Sequence, residues 1–220
     1  MRIFLLALLL CLPASAAWSQ PVVASGSQPV RVMAAAHLLA ELRNGGYVLY
    51  FRHFATDFSQ NDEKMRDFDD CANQRLLTDR GRSDARRVGA TMRELKIPVG
   101  RVLASPYCRT VETAQLLFGR AEKMNEVRGG PAASGDPERY AGLRTLMSTR
   151  PEANLVISSH GNPFQAVAGP PYLAEGEMAV IKPLGDRFEI TARVRIDDWN
   201  GLAAAGKRWA SGTYLSSLPR

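Results

Sequence analysis

The stretch Tyr47-Val48-Leu49-Tyr50-Phe51-Arg52-His53 decides the fold of this 220-residue chain, because an apolar run passes directly into an arginine and a histidine. A second run, residues 154–159, ends in the same way on His160. Short apolar runs of this kind are typical of strands buried on both faces of a parallel sheet. The carboxyl ends of such strands meet at one crevice, so the two histidines are expected to share a site.

Strands and helices alternate along the rest of the chain. Periodicity predicts helices over 32–43, 80–95, 105–118 and 138–148, and strands over 47–51, 101–104 and 154–158, followed by an antiparallel hairpin of 178–182 and 188–194. The pattern predicts an α/β fold, specifically a three-layer α/β/α sandwich with a mostly parallel sheet and an antiparallel edge. Asp79 is the expected cap of the second helix, and residues 54–77 form a long polar loop, which in compact domains is usually functional or disordered.

The first 19 residues have the features of a secretory signal peptide. Arg2 precedes a short apolar run, and a tract of small residues follows, so cleavage is expected after Ala16, Ala17 or Ser19. The run is shorter than the ~18 to 20 residues that span a bilayer, so no stable membrane insertion is expected after cleavage. Residues 20–30 are expected to form a flexible leader, and residues 31–220 a single domain. The protein is therefore expected in the periplasm, in an oligomeric state that the sequence does not indicate.

Charge and cysteine content agree with an exported protein that handles small anions. The formal net charge is +6, and the basic residues are scattered, which favours a small phosphorylated substrate over nucleic acid. Once Cys11 leaves with the signal peptide, Cys71 and Cys108 remain. An even pair in an oxidising compartment predicts a disulfide, with two buried free thiols as the alternative.

Histidine and arginine at strand and helix ends indicate phosphate chemistry. A neutral imidazole can attack phosphorus without an activating base, and guanidinium groups bind phosphate oxygens in pairs. Arg52 adjoins His53, while Arg109 lies near the start of a predicted helix, where anions bind readily. Arg52, His53, Arg109 and His160 are therefore expected to surround one phosphate. His37 has no such neighbours and is expected to be structural or exposed.

Three segments carry a resemblance to a known family. Arg52-His53, the segment Ser105-Pro106-Tyr107-Cys108-Arg109-Thr110 and the segment Ser159-His160-Gly161-Asn162 are similar to the signature segments of the histidine phosphatase superfamily, in its phosphoglycerate mutase-like branch. Residues 77–82 resemble a helix opening found between the first two. The resemblance implies a phosphoglycerate mutase-like sandwich in which His53 becomes phosphorylated and Arg52, Arg109 and His160 bind the phosphate. It implies no metal and no cofactor.

The general acid is assigned by the same resemblance. Glu126 lies in a stretch like the one that supplies the acid in the mutase branch, so the expected catalytic residues are His53, Glu126 and His160. Glu175, Glu177 and Asp57 are reserve candidates. An aspartate directly after the second histidine marks the phytase branch, whereas this chain has glycine there, which argues against a phytase-like enzyme.

One departure from the family pattern bears on activity. Phe54 stands where glycine commonly follows the nucleophilic histidine, and its ring could narrow the entrance, stack on a substrate or point into the core. These features together give one predicted function and one alternative. The predicted function is an exported phosphomonoesterase that acts through phosphohistidine. The alternative is a catalytically weak or inactive protein of the cell envelope that binds phosphate or phosphorylated ligands. Specificity is expected in 54–77 and 129–135, and Trp199 and Trp209 are expected to pin the C-terminal segment to the body.

Overall fold

The computed structural model describes residues 34–130 and 138–210, so the predicted signal peptide, the leader and most of 129–135 lie outside it. The helices are α1 (Ala35–Asn44), α2 (Asp79–Glu94), α3 (Cys108–Phe118), α4 (Ala141–Ser148), α5 (Gly161–Ala168) and α6 (Asp198–Ala210). The strands are β1 (Val48–Arg52), β2 (Val99–Ala104), β3 (Glu122–Lys123), β4 (Asn154–Ser159), β5 (Met178–Pro183) and β6 (Phe188–Val194). None of the helices within the described ranges has the length and apolar character needed to cross a membrane.

The sheet confirms the predicted topology. Its strand order is β3-β2-β4-β1-β5-β6, with β3, β2, β4 and β1 parallel and β5 and β6 antiparallel at one edge. β1 and β4 are neighbours at its centre, and their register pairs Arg52 with Ser159. The chain therefore leaves both strands at the same edge of the sheet, side by side.

Alternating side chains of β1 build the two sides of the core. Leu49 and Phe51 pack in one apolar cluster with α1, α2, α3 and α6, whereas Val48 and Tyr50 pack in a second cluster with α4 and α5. A strand with both faces buried needs apolar residues at every position, which explains the unbroken run in the sequence. The result is the expected three-layer sandwich.

Several element boundaries differ from the sequence expectation. The cap of α2 is Thr78, whose hydroxyl accepts a hydrogen bond from the Gly81 N–H at 3.0 Å, and Asp79 is the first helical residue. β2 starts at Val99, and α3 starts at Cys108 rather than at residue 105. The helices α5 and α6 were not predicted. α6 buries Trp199 against the body, as expected, while the Trp209 side chain lies outside the described residues.

The segment between β1 and α2 is a long loop, as predicted. Hydrogen bonds join its two ends to each other, and a disulfide attaches it to α3. Thr56 and Leu77 form an antiparallel bridge, and the Thr78 N–H donates to the Ala55 carbonyl at 2.9 Å. Cys71, in a short 3₁₀ helix, is disulfide-bonded to Cys108, with 5.7 Å between their Cα atoms. The disulfide therefore joins this loop, residues 54–78, to the first residue of α3.

Candidate active site

The two strand-end histidines lie together, as the apolar runs predicted. The His53 N–H donates to the Ser159 carbonyl at 2.9 Å, which places His53 beside the end of β4, and His160 follows directly. The imidazole centroids are 5.4 Å apart with the rings tilted by 71°. Both side chains are buried.

The surroundings of His53 determine which ring nitrogen carries the proton. Nδ1 lies 3.0 Å from the Phe54 carbonyl oxygen. Because a carbonyl oxygen can only accept, Nδ1 must be the protonated nitrogen, and the lone pair is then on Nε2. The ring therefore has the tautomer that a nucleophile needs.

His160 is held by a serine and by a glycine. Its Nε2 lies 2.9 Å from the Ser105 hydroxyl, which is fully buried at the end of β2. A Cβ atom at Gly129 would lie only 2.7 Å from Cγ and 2.8 Å from Nε2 of the imidazole, so the Gly129 backbone packs directly against the ring. The role of Ser105 in orienting the imidazole was not foreseen from the sequence.

Both predicted arginines lie at this crevice. Arg52, the last residue of β1, donates through one terminal nitrogen to the Leu173 carbonyl at 2.7 Å. Arg109, the second residue of α3, donates to the Asp62 carboxylate at 3.0 Å and to the Arg75 carbonyl at 3.4 Å. The guanidinium of Arg109 is buried, so its charge acts in a poorly solvated environment.

The structure adds a third arginine, Arg75, to the site. Its backbone N–H donates to the Asp62 carboxylate at 2.9 Å, which links it to Arg109. Its charge is also among those that lower the pKa of His53 and of His160. The nearby Gln74 side chain accepts the Cys108 N–H at 2.9 Å, so this part of the loop is anchored to the start of α3. Nothing in the sequence pattern distinguishes Arg75 from the other loop arginine.

Burial and positive charge keep both imidazoles neutral. Burial lowers the pKa of His53 to about 3, and the charges of Arg109, Arg52 and Arg75 act in the same direction. Burial also holds the pKa of His160 well below its usual range, with a further contribution from His53. A neutral imidazole has a free lone pair, so His53 is ready for nucleophilic attack near neutral pH.

Among the carboxylates weighed as acids, Glu175 lies nearest to His53. Its Oε1 is 3.8 Å from His53 Nδ1 and 3.6 Å from an Arg52 nitrogen, and it accepts the Thr56 hydroxyl at 2.6 Å. It thus lies on the protonated side of the imidazole, away from Nε2. In that position Glu175 is better placed to orient the imidazole ring than to protonate a leaving oxygen.

The other carboxylate candidates lie in different surroundings. Glu177 is buried in an ion pair with Arg193 at 2.7 Å, and Asp57 accepts from the exposed Ser59. Glu126 is exposed, and its Cβ and Cγ approach Gly142 of α4. No hydrogen bond or ion pair within residues 34–130 and 138–210 joins Glu126 to either histidine. Its role as acid therefore stays a prediction.

Phe54 lies in the core rather than at the entrance. Its side chain is fully buried in the cluster that includes Leu49, and one ring carbon lies 2.8 Å from where a Cβ of Gly176 would be. The sequence left three positions open for this ring, and the structure shows that it points into the core. Phe54 therefore does not obstruct the crevice.

The part of the chain with described structure contains no cluster of three or more histidine, cysteine, aspartate or glutamate side chains arranged to hold a metal ion. Three arginines and two imidazoles converge on the crevice, and the carboxylates of Asp62 and Glu175 only partly balance the positive charge. That set suits an anion.

Comparison with known proteins agrees with this geometry. The family model described as histidine phosphatase superfamily (branch 1) matches residues 48–129, from β1 through the segment that contains Glu126 and Gly129. Residues 48–129 are therefore similar to the histidine phosphatase superfamily. The match includes Arg52, His53 and Arg109, whereas His160 lies beyond it and joins the site through the fold. This match supports phosphatase activity.

Solved structures show the same fold at low sequence identity. The protein histidine phosphatase SixA, in a complex with tungstate, is 17% identical, and the comparison covers 69% of this chain and 98% of that chain with a TM-score of 0.53. The product of an open reading frame from Mycobacterium tuberculosis is 15% identical over 66% of this chain and 95% of that chain, with a TM-score of 0.50. None of the curated proteins matches the sequence.

Proposed function

We propose that this protein is an exported phosphomonoesterase of the histidine phosphatase type, in which His53 forms a phosphohistidine intermediate. The observation that carries the proposal is the hydrogen bond from His53 Nδ1 to the Phe54 carbonyl, because it leaves the Nε2 lone pair free. The charges of Arg109, Arg52 and Arg75 act on this imidazole, so the free nitrogen belongs to a positively charged crevice. This arrangement is the one that attack on phosphorus requires.

In the first step, the lone pair of His53 Nε2 attacks the phosphorus atom of the ester. The N–P bond forms as the P–O ester bond breaks, and the leaving oxygen takes a proton from Glu126. In the second step, water attacks phosphorus, the N–P bond breaks, and Glu126 accepts the proton from water. Inorganic phosphate is released, and the neutral imidazole and the protonated acid are restored.

Positive charge around the phosphate stabilises both transition states. Arg52, Arg75, Arg109 and the N-terminus of α3 are the groups that would face the equatorial oxygens, with His160 as a further donor. During the first step the imidazole of His53 gains positive charge because it keeps its Nδ1 proton. The Phe54 carbonyl and the Glu175 carboxylate, 3.0 Å and 3.8 Å from Nδ1, would stabilise that charge. The complex of SixA with tungstate, a tetrahedral anion, is consistent with anion binding at such a site.

The alternative function, a binding protein with little turnover, depended on Phe54. Its ring is buried in the core, so the physical reason for impaired catalysis is removed. Arg52, His53, Arg109 and His160 are all at the crevice, which supports the catalytic reading.

The decisive experiment detects the covalent intermediate. The mature protein is mixed with a reactive aryl phosphate in the presence of a metal chelator, quenched without acid, and its intact mass is measured. We expect a transient gain of one phosphoryl group with release of the phenol. His53→Ala should show neither, whereas His37→Ala, which changes an exposed histidine of α1, should behave as wild type. Turnover of wild type without an adduct on His53 would contradict the mechanism.

Export is the second part of the proposal. The signal-like residues 1–19 and the Cys71–Cys108 disulfide support it, since disulfides persist in oxidising compartments. Expression of the full chain in a bacterium, followed by fractionation and intact mass, should give a periplasmic protein that begins after Ala16, Ala17 or Ser19. A cytoplasmic protein that retains residue 1 would contradict export and leave the phosphatase proposal standing.

A further inference from the structure

Each arginine of the crevice is covered on one face by an aromatic ring. The guanidinium carbon of Arg109 lies 4.5 Å from the centre of the Tyr107 ring. Arg75 lies 4.7 Å from Phe58, and Arg52 lies 5.0 Å from Tyr172. Stacking uses only the face of a guanidinium, so its N–H edges stay available for phosphate. The phosphate-binding groups are thus bordered by aromatic side chains.

Two of these rings are accessible from solvent. Phe58 is 71% exposed and Tyr172 is 44% exposed, and they stand out because among described residues the only other large apolar side chain exposed to this degree is Leu184, at 39%. Leu184 lies in the turn between β5 and β6, where its N–H donates to the Arg187 carbonyl. An exposed phenyl ring is costly to keep in water, and apolar surface beside a polar crevice is typical of a ligand site.

The backbone around Tyr172 is firmly anchored beside His160. Arg193 donates to the Pro171 and Tyr172 carbonyls at 2.7 and 2.9 Å, and Arg52 donates to the Leu173 carbonyl. The Tyr172 ring packs against Gly161, the residue that follows His160, so closely that a Cβ there would overlap it. The ring is therefore fixed against the first residue of α5 rather than free in a loop.

Phe58 is held by the other wall of the site. The Ser59 N–H and hydroxyl both donate to Asp57, at 2.9 and 2.7 Å, which closes a tight turn around Phe58. The Leu76 N–H donates to the Gln60 side chain at 3.0 Å and connects this turn to the part of the loop that contains Arg75. The aromatic ring thus stands over a guanidinium whose position is set by the same loop.

We propose that Phe58 and Tyr172 contact the leaving group and make the enzyme selective for phosphate monoesters of planar, aromatic alcohols. This inference rests on the proposed phosphatase function and names its substrate class. An aromatic leaving group would cover the exposed faces of both rings and gain from offset or edge-on contacts. A sugar phosphate would instead bring hydroxyl groups against the Phe58 ring and the face of the Tyr172 ring, which offer them no conventional hydrogen-bonding group.

The test compares esters of primary alcohols, so that leaving-group acidity differs little. Benzyl phosphate, cyclohexylmethyl phosphate and glucose 6-phosphate differ mainly in planarity and polarity. We expect kcat/KM to decrease in that order, with at least about a tenfold difference between the first and the last, from two ring contacts of ordinary strength. Hydrolysis of all three at equal kcat/KM would overturn the substrate class and leave the phosphatase function intact. Hydrolysis of none of them, nor of a reactive aryl phosphate, would instead overturn the proposed function.

Variants separate contact with the leaving group from support of the arginines. Phe58→Ala and Tyr172→Ala should each lower kcat/KM for benzyl phosphate about fivefold while glucose 6-phosphate hydrolysis and inhibition by inorganic phosphate change less than about twofold. Tyr172→Phe keeps the ring and should retain the selectivity, and Leu184→Ala, which shortens a distant exposed apolar side chain, should change nothing. Equal losses for both esters, with weaker phosphate inhibition, would show that the rings only support the arginines and would overturn the proposal.

Discussion

Substitution of Gly129 by alanine should displace His160 and lower activity strongly. The added Cβ would lie 2.7 Å from Cγ of the imidazole, and ordinary van der Waals contact begins at 3.4 Å, so the ring must move by at least about 0.7 Å. Ser105 holds Nε2 at 2.9 Å, so this movement also stretches a buried hydrogen bond. A displacement approaching 1 Å of a catalytic group can cost about 100-fold in rate.

The expected result is a decrease in kcat/KM of about 30- to 100-fold for an aryl phosphate, with a loss of stability of about 1 to 3 kcal/mol from overpacking. Gly201→Ala is the matched control, because Gly201 lies in α6 with no atom within 4 Å of the added Cβ. That variant should keep full activity and gain about 0.5 to 1 kcal/mol of stability.

Steady-state kinetics and thermal unfolding would be measured on all three proteins. A Gly129→Ala enzyme that is folded and retains activity within twofold of wild type would refute the reasoning. It would mean that the position of the His160 ring does not limit turnover. A variant that unfolds below the assay temperature would be replaced by Ser105→Ala, which loosens the same ring without adding volume and should also reduce kcat/KM.

Three further outcomes are expected. Glu126→Gln should slow the hydrolysis of esters with poor leaving groups about 100-fold and hardly affect nitrophenyl esters, because an acid matters only when the leaving oxygen needs a proton. Glu175→Gln should slow both classes of ester equally. Equal effects of Glu126→Gln on both classes would exclude Glu126 as the acid. Replacing Cys71 and Cys108 together by serine should lower the free energy of unfolding by roughly 3 to 4 kcal/mol in denaturant titrations. The same change should raise KM, because the loop is then no longer covalently attached to α3. An unchanged KM would show that the disulfide does not position the loop. The His53 pKa of about 3 lies below its unfolded value of 6.5, so the unfolded chain binds more protons at this residue as the pH falls. The contribution of His53 to stability is therefore fully present above pH 6.5 and decreases by up to about 1.4 kcal/mol per pH unit below that value. Nitrogen NMR should show Nε2 unprotonated from pH 7 to pH 5, and titration near pH 6.5 would contradict this.

The pair of histidines could be predicted because strand burial leaves a strong signal. Both β1 and β4 are covered on two faces, so each appears as an unbroken apolar run, and the residue after each run must lie at the same edge of the sheet. Once the strands are recognised, the meeting of His53 and His160 follows from topology alone.

The positions of Arg75 and Ser105 depend on tertiary contacts that leave no periodic signal. Arg75 reaches the site because Asp62 bonds to it and to Arg109, and because the nearby disulfide anchors the loop. Ser105 is one of several serines, and only the sheet register shows that it meets His160. Loop geometry of this kind comes from contacts that are distant in sequence.

The helix α6 was missed for a different reason. Trp199, Leu202 and Ala205 have helical spacing, but Gly201 and Gly206 lie between and after them, and glycine costs about 1 kcal/mol in a helix interior. Gly206 lets α6 pack closely against the buried Leu95 side chain, which a Cβ at residue 206 would crowd. Packing against the body therefore outweighs the weak intrinsic helix propensity.

The loop of residues 54–78 begins and ends at nearly the same place, where Ala55 and Thr78 share a hydrogen bond and Thr56 pairs with Leu77. A loop with adjacent ends can be exchanged for another of different length without moving the strands that carry the histidines. Evolution can thus change substrate contacts such as Phe58 by replacing one surface segment, provided that the new loop also takes over the roles of Arg75 and Asp62. For protein engineering, the same closure marks Ala55 and Thr78 as the splice points at which a loop from a relative could be grafted.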